Sequence, residues 1–186
     1  MKNSGPIYEL ITRSNSETII HLFISEGNND ESALVKAIEY APIKKPFDGK
    51  SIYNLAFGDY DFETDEISDL TNKSNDDAYV ILNTVLSTIP PFFELHSQKG
   101  LLVSGSDSRP EFEAECRKIC RKNKCQVTCR KKGQRIRIYS NYVSREYDSL
   151  SLVYQFFGGT DDGEDWFVFE NFKKGKNYDS VIVFKK

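Results

Sequence analysis

The sequence predicts an α+β fold in which an antiparallel β-meander is combined with two or three helices. Short β-rich runs separated by turn residues fill the first seventy positions, two later stretches have helical apolar spacing, and further β-rich runs follow near the end. Elements in this order are typical of an antiparallel sheet with segregated helices, not of alternating βα units. A small cysteine-rich segment is predicted to form part of this fold.

The N-terminal strands are predicted from β-branched and aromatic runs. Turn residues at 25–30 follow the second run and indicate a hairpin. The acidic stretch 59–69 is predicted as a hairpin turn with solvated carboxylates, because Thr64 and Leu70 stand where a calcium loop needs Gly and Glu. The predicted strands are Tyr8–Thr12, Thr18–Ile24, Val35–Ile43 and Ile52–Phe57, the last closed by Gly58 and Asp59.

The first helix is predicted to follow the N-cap sequence Asn75-Asp76-Asp77, since apolar residues behind it share one helical stripe. Pro90 and Pro91 are expected to end or kink this helix, because proline cannot donate to the helical hydrogen-bond ladder. A short strand is predicted at 101–103.

The second helix is predicted to begin at Pro110 and to carry Cys116 and Cys120. The third covers Tyr139–Leu152, whose apolar residues again share one face. The closing strands are Val153–Phe157, Trp166–Phe169 and Val181–Phe184, separated by loops at 158–163 and 173–177.

Length and composition favour one globular domain over residues 1–186. The chain has 186 residues, 39% apolar, within the roughly 100–200 residues of an ordinary domain. No apolar run approaches the roughly 20 residues of a membrane span, so no membrane partner is expected. The first residues lack the apolar region of a secretory signal, and the reducing cytoplasm is the predicted compartment.

A strongly basic segment stands out from this acidic chain. The window from Cys116 to Arg137 holds ten cations and no carboxylate, so a net charge of -3 for the whole chain leaves -13 for the remainder. A local field of this sign attracts polyanions. The ten cations are Arg117, Lys118, Arg121, Lys122, Lys124, Arg130, Lys131, Lys132, Arg135 and Arg137.

The four cysteines predict zinc as the cofactor. Cys116, Cys120, Cys125 and Cys129 lie within fourteen residues, and zinc binds four thiolates tetrahedrally with Zn–S distances of about 2.3 Å. The flanking cations help to keep thiolates ionised. Three alternatives stay open: reduced thiols packed as small apolar groups, a pair of disulfides in an exported protein, and an iron–sulfur cluster.

The basic segment predicts nucleic acid as the partner, because dense Arg and Lys neutralise phosphates. The alternatives are a solvated face, a patch that docks on the chain's own acidic surface, and an acidic protein partner. Tyr139 and Tyr142 could stack on bases, although their spacing also suits the helix core. Nothing in the sequence indicates an oligomeric state.

A candidate anion site is a further functional feature of the sequence. A Gly-Ser turn that precedes a helix can bind phosphate, with arginine as a partner. The chain has no catalytic triad, HExxH motif or P-loop, and His21 and His96 are far apart. No catalytic residue is predicted. The anion-site residues are Ser104, Gly105, Ser106, Arg109, Arg137 and Tyr139.

Several segments resemble a family of short, uncharacterised bacterial proteins that form a domain of unknown function. Residues 52–61, IYNLAFGDYD, resemble the YNLAFGDYD signature of that family. In its shorter members the Gly-Ser turn runs almost directly into an Arg and Tyr pair, so the resemblance implies that residues 110–134 are a cysteine-rich basic insertion. The other matching segments are Asn75–Asp77 with the helix behind it, Ser104–Ser106, Arg137 with Tyr139, and the terminal stretch 172–178.

These observations favour a non-enzymatic nucleic-acid-binding or accessory protein that uses a zinc-braced basic segment. The first alternative is a small toxin-like ribonuclease or nucleotide-acting enzyme of a mobile element, working at the anion site. The second is a regulatory or immunity protein that binds an acidic protein.

Overall fold

A computed structural model describes residues 5–26, 33–68, 77–105, 107, 111–119, 129, 131–163 and 166–186. The chain divides into two compact units, Met1–Leu101 and Leu102–Lys186. The predicted α+β class is confirmed, with antiparallel strand pairs and three helices in the described residues. That residues 1–186 form a single domain with an insertion at 110–134 stays a prediction.

The first unit contains the predicted meander. Each strand pairs antiparallel with the next one along the chain. Tyr8, predicted to open the first strand, precedes it, because its backbone N–H donates to Thr84 Oγ1 at 2.9 Å. The strands are β1 (Ile11–Ser14), β2 (Ile19–Ser25), β3 (Leu34–Phe47), β4 (Lys50–Asp61) and β5 (Glu66–Ser68).

The expectation that Gly58 and Asp59 close β4 is wrong. Both residues pair with β3, opposite Ala37 and Lys36, and the strand continues for two more residues. Cross-strand pairing compensates for the low strand propensity of Gly and Asp. The predicted acidic hairpin turn is confirmed beyond this point, where Asp61 Oδ1 accepts the N–H of Glu63 at 2.8 Å.

Helix α1 (Ala78–Leu95) packs on one face of this meander. Tyr40 on β3 stacks on Phe92 with ring centroids 4.8 Å apart, and its hydroxyl lies 2.5 Å from Thr88 Oγ1. Burial raises the pKa of Tyr40 well above its ordinary value. The other face carries a separate apolar cluster around Leu22 and Ala37.

Of the two expected effects of Pro90 and Pro91, an end of the helix does not occur, since α1 runs through both prolines to Leu95. Phe92 and Phe93, directly after the prolines, are buried. Burying a Phe side chain contributes about 1.5–3 kcal/mol, so the two together offset much of the roughly 3 kcal/mol that each of the two interior prolines costs. Tertiary packing therefore overrides the local signal.

By length and composition α1 could also cross a membrane, alone among the described helices. Core helices of water-soluble proteins pass the same test. Near its middle, α1 is buried at Thr84, Val85, Leu86 and Thr88.

The described part of the second unit contains two helices and three strands after residue 150, the first of which pairs antiparallel with both others. Strand β6 (Gly100–Ser104) spans the boundary between the units. The other elements are α2 (Phe112–Ile119), α3 (Gln134–Leu150), β7 (Tyr154–Asp161), β8 (Phe167–Asn171) and β9 (Ser180–Lys185).

The loop predicted at 158–163 begins too early, because Gly158 and Gly159 belong to β7. Here glycine serves close packing, not a turn. A Cβ on Gly158 would lie 2.2 Å from the ring of Tyr178, and one on Gly159 would lie 2.2 Å from Ser180 Oγ. The glycines let neighbouring side chains lie directly on the strand.

Candidate functional site

A polar network at the start of α1 connects three distant parts of the first unit. The Asp77 carboxylate accepts hydrogen bonds from the Tyr8 hydroxyl at 2.7 Å and from Ser25 Oγ at 2.6 Å. Asp77 directly precedes α1, but its side chain does not cap the helix. Burial, followed by the hydrogen bond to Asp77, raises the pKa of Tyr8 to about 12. Both hydroxyls donate to the same carboxylate, so the network connects the segment before β1, the end of β2 and the start of α1.

A buried ion pair lies on the same face of the sheet. Lys36 on β3 pairs with Asp59 on β4, directly opposite in register. The Lys36 ammonium is also 6.0 Å from the centroid of the Phe57 ring. Asp59 belongs to the 52–61 segment singled out above, and Asp77 to the Asn-Asp-Asp segment. The structure therefore gives both segments a place on the side of the sheet where Tyr8 stacks on Phe23.

The second unit brings together two of the four predicted metal ligands. Cys116 lies on α2, and Cys129 opens a turn closed by the N–H of Lys132, which donates to the Cys129 carbonyl at 3.1 Å. Their Sγ atoms are 3.5 Å apart, and both residues are buried. Cys120 and Cys125 lie outside the described residues.

Glu113 connects helix α2, which carries Cys116, to the backbone of Cys129. Its carboxylate accepts a hydrogen bond from Arg117 at 2.6 Å and another from the backbone N–H of Cys129. The hydrogen bond from Arg117 is the main reason that the pKa of Glu113 is lowered, and the nearby charge of Lys132 acts in the same direction. A negative side chain early in α2 also suits the helix dipole.

Asp107 fixes the start of α3, the helix that follows the cysteine segment. Its carbonyl accepts the N–H of Gly133 at 3.0 Å, and its Oδ2 accepts the N–H of Arg135 at 2.9 Å. Gly133, with φ of 63°, adopts the left-handed conformation that glycine tolerates. These contacts explain why α3 begins at Gln134, five residues before the predicted start. The helix end is thus capped by a carboxylate.

The described residues of the predicted anion site differ in how far they are exposed to solvent. Gly105 is buried, Ser104 and Tyr139 are half-buried, and Arg137 is exposed on α3. Ser106 and Arg109 lie outside the described residues. The group that the structure places at the start of α3 is the Asp107 carboxylate, and an anion site there stays a prediction.

Six of the ten predicted nucleic-acid-binding residues are described, two directly after Cys116 and four after Cys129. Four of them are exposed: Arg117, Lys118, Lys132 and Arg137. Lys131 and Arg135 are half-buried. The remaining predicted residues, Arg121, Lys122, Lys124 and Arg130, lie outside the described part of the chain.

In the described ranges no group of three or more His, Cys, Asp or Glu side chains is arranged to hold a metal ion. Of the four predicted zinc ligands the described residues include Cys116 and Cys129, and a zinc site stays a prediction.

Comparison with known proteins places the first unit in a family. The model of a family of unknown function (DUF6934) matches residues 4–111. The chain belongs to this family. No curated protein and no solved structure matches it.

The DUF6934 match covers the polar network and the Lys36–Asp59 pair, and it ends at residue 111. The cysteine segment and the resembling segments at Arg137 and 172–178 lie beyond it. The expectation of membership in a family of unknown function is confirmed, whereas the signature and the insertion stay predictions.

One more cluster lies in the part beyond the family match. The Glu170 carboxylate accepts hydrogen bonds from Lys173 at 2.6 Å, from Lys176 and from the Tyr178 hydroxyl at 3.0 Å. These donors, with Lys173 the largest contributor, lower the pKa of Glu170 to about 2. The stretch 172–178 thus folds around one carboxylate on β8.

Sequence reasoning missed the Asp77 network and the Glu170 cluster. The partners of Asp77 are 52 and 69 residues away in the chain, so no local spacing reveals them. A weak signal for Asp77 existed, because a predicted N-cap aspartate precedes an apolar helix there.

Proposed function

We propose that the chain is a nucleic-acid-binding protein whose basic segment is braced by zinc on Cys116, Cys120, Cys125 and Cys129. The observation that carries the proposal is the 3.5 Å contact between the buried Sγ atoms of Cys116 and Cys129. We assign no catalytic residue. The cytoplasm, where thiols stay reduced, is the compartment in which such a site would operate.

The sulfur separation suits a shared zinc ion. With Zn–S bonds of about 2.3 Å and tetrahedral angles, two ligand sulfurs lie about 3.8 Å apart. The observed contact is within a few tenths of an ångström of that spacing. Cys120 and Cys125 occur between them in the sequence. Metal binding would supply folding free energy to a segment too short for an apolar core of its own.

The charges around the cysteine pair indicate which class of partner the segment would bind. Lys118 and Lys132 are exposed, one on α2 and one in the turn after Cys129. Both cations belong to the second unit, two residues after Cys116 and three after Cys129. A cluster of cations gains affinity for a polyanion by releasing condensed counterions.

The test is titration of fluorescently labelled single- and double-stranded oligonucleotides at several salt concentrations. The protein should bind at low salt, with affinity that falls steeply as salt rises. Replacing Lys118 and Lys132 by Ala should make the slope of log K against log salt shallower by about 2. The matched control replaces exposed Lys44 and Lys185, which lie outside the basic segment, and should leave the slope unchanged.

Two outcomes would contradict the proposal. Absence of binding at low salt would assign the basic segment to an acidic protein partner or to a solvated face. Binding whose salt slope responds equally to both pairs of substitutions would show that net charge alone is responsible.

A further inference from the structure

Helix α3 presents an exposed face whose composition differs from that of its buried side. With about 3.6 residues per turn, positions 134, 137, 138 and 141 fall on one stripe, and Gln134, Arg137, Ile138 and Asn141 are all exposed. Ile136 and Ser140, on the opposite side, are buried. The stripe spans about 10 Å, or two helical turns.

These side chains are those that recognise base edges. Arg forms two parallel hydrogen bonds with guanine O6 and N7, Asn and Gln do so with adenine N6 and N7, and apolar groups contact the thymine methyl. Ile138 is 47% exposed, so its side chain is accessible to a ligand on this face. We propose that the N-terminal half of α3 enters the major groove of duplex DNA and recognises bases through Arg137 and Asn141. This inference rests on the proposed function and names its substrate class.

Charge along α3 sets the orientation of this contact. Its N-terminal end follows the cationic turn at Lys131 and Lys132. The acids near its other end are already paired: Glu146 with Arg145 at 2.8 Å, and Asp148 with Lys174 at 3.0 Å. The positive end would therefore lie nearest to the phosphates, with α3 exposing its first two turns to bases, as in recognition helices.

Geometry favours duplex DNA over duplex RNA. The major groove of B-DNA is about 12 Å wide and admits an α-helix, whereas that of A-form RNA is too deep and narrow for side chains to reach its bases. The stripe also lacks the exposed aromatic rings on which proteins stack single-stranded bases, since Tyr139 and Tyr142 are half-buried.

The experiment selects duplexes from a random-sequence DNA pool with the full-length protein and then measures binding by fluorescence anisotropy. The probes are the enriched duplex, a scrambled duplex, the RNA duplex of the same sequence and the single strand. We expect an enriched sequence that the protein binds more tightly than the other three.

The variants separate base recognition from general attraction. Arg137→Lys keeps the positive charge but loses the planar fork, so it should keep scrambled-duplex binding and reduce discrimination about 5- to 150-fold. Asn141→Ala should do the same. Ser149→Ala, exposed at the far end of α3, is the matched control and should leave discrimination unchanged, and circular dichroism melting checks that all variants fold.

Each contrary result has its own meaning. Salt-dependent binding without an enriched sequence, tighter binding of RNA or single strands, or discrimination unaffected by Arg137→Lys and Asn141→Ala would overturn the recognition role of α3 and leave the proposed function standing. Failure to bind any nucleic acid would overturn both.

Discussion

Replacing Asp77 with alanine should destabilise the first unit by about 3 kcal/mol. The Asp77 carboxylate accepts hydrogen bonds from Tyr8 and Ser25 at 2.7 and 2.6 Å, and each bond to a charged acceptor contributes about 1.5–3 kcal/mol. Tyr8 is half-buried and can rotate towards water, so its hydrogen bond contributes less. The expected loss is therefore at the lower end of the sum for the two hydrogen bonds. For a chain of this length the melting temperature should fall by roughly 10 °C.

Urea denaturation followed by far-UV circular dichroism measures this change. Asp77→Asn is the matched control, because its amide oxygen still accepts a hydrogen bond, and it should lose clearly less stability than Asp77→Ala. In a Ser25→Ala background, Asp77→Ala should cost about 1–2 kcal/mol less than it does alone, because one of its bonds is already absent. A loss below about 1 kcal/mol for Asp77→Ala, equal in both backgrounds, would refute the network as a stabilising element.

Three further predictions follow from the structure. Folding raises the pKa of Tyr8 from 10.0 to about 12. The contribution of Tyr8 to stability is therefore complete below pH 10 and is lost between pH 10 and 12. Denaturation across this range should show a smaller loss of stability in Tyr8→Phe than in the native chain. Since folding lowers the pKa of Glu170 from 4.5 to about 2, its contribution is present above pH 4.5 and is lost as the pH falls towards 2; an acid titration in which Glu170→Gln retained the whole loss would contradict this. Gly158→Ala places a methyl group 2.2 Å from the Tyr178 ring and should destabilise the second unit by about 1–3 kcal/mol, whereas an unchanged thermal melt would show that the ring moves freely.

The sequence predicts the elements of this fold better than their ends. β-branched and aromatic runs located β2 and the start of β3 to within one residue, because strand composition is a local property. The prolines of α1 and the glycines of β4 and β7 misled the prediction, since each is tolerated through a contact with a distant residue. Phe92 against Tyr40 and Gly158 against Tyr178 are two such contacts.

The candidate site divides in the same way. That all four cysteines share one site stays a prediction, and the structure places the sulfurs of Cys116 and Cys129 3.5 Å apart. The contacts that hold them, from Glu113 to Cys129 and from Asp107 to α3, have no sequence pattern. They depend on where the chain turns, which residue spacing alone does not specify.

The most direct test of the zinc-braced segment is the metal content of the purified full-length protein by native mass spectrometry under reducing conditions. We predict one zinc per chain. The zinc should be lost when Cys116 is replaced by Ser and retained when exposed Ser149 is replaced by Ala. Protein without zinc, with all four thiols open to alkylation, would contradict it.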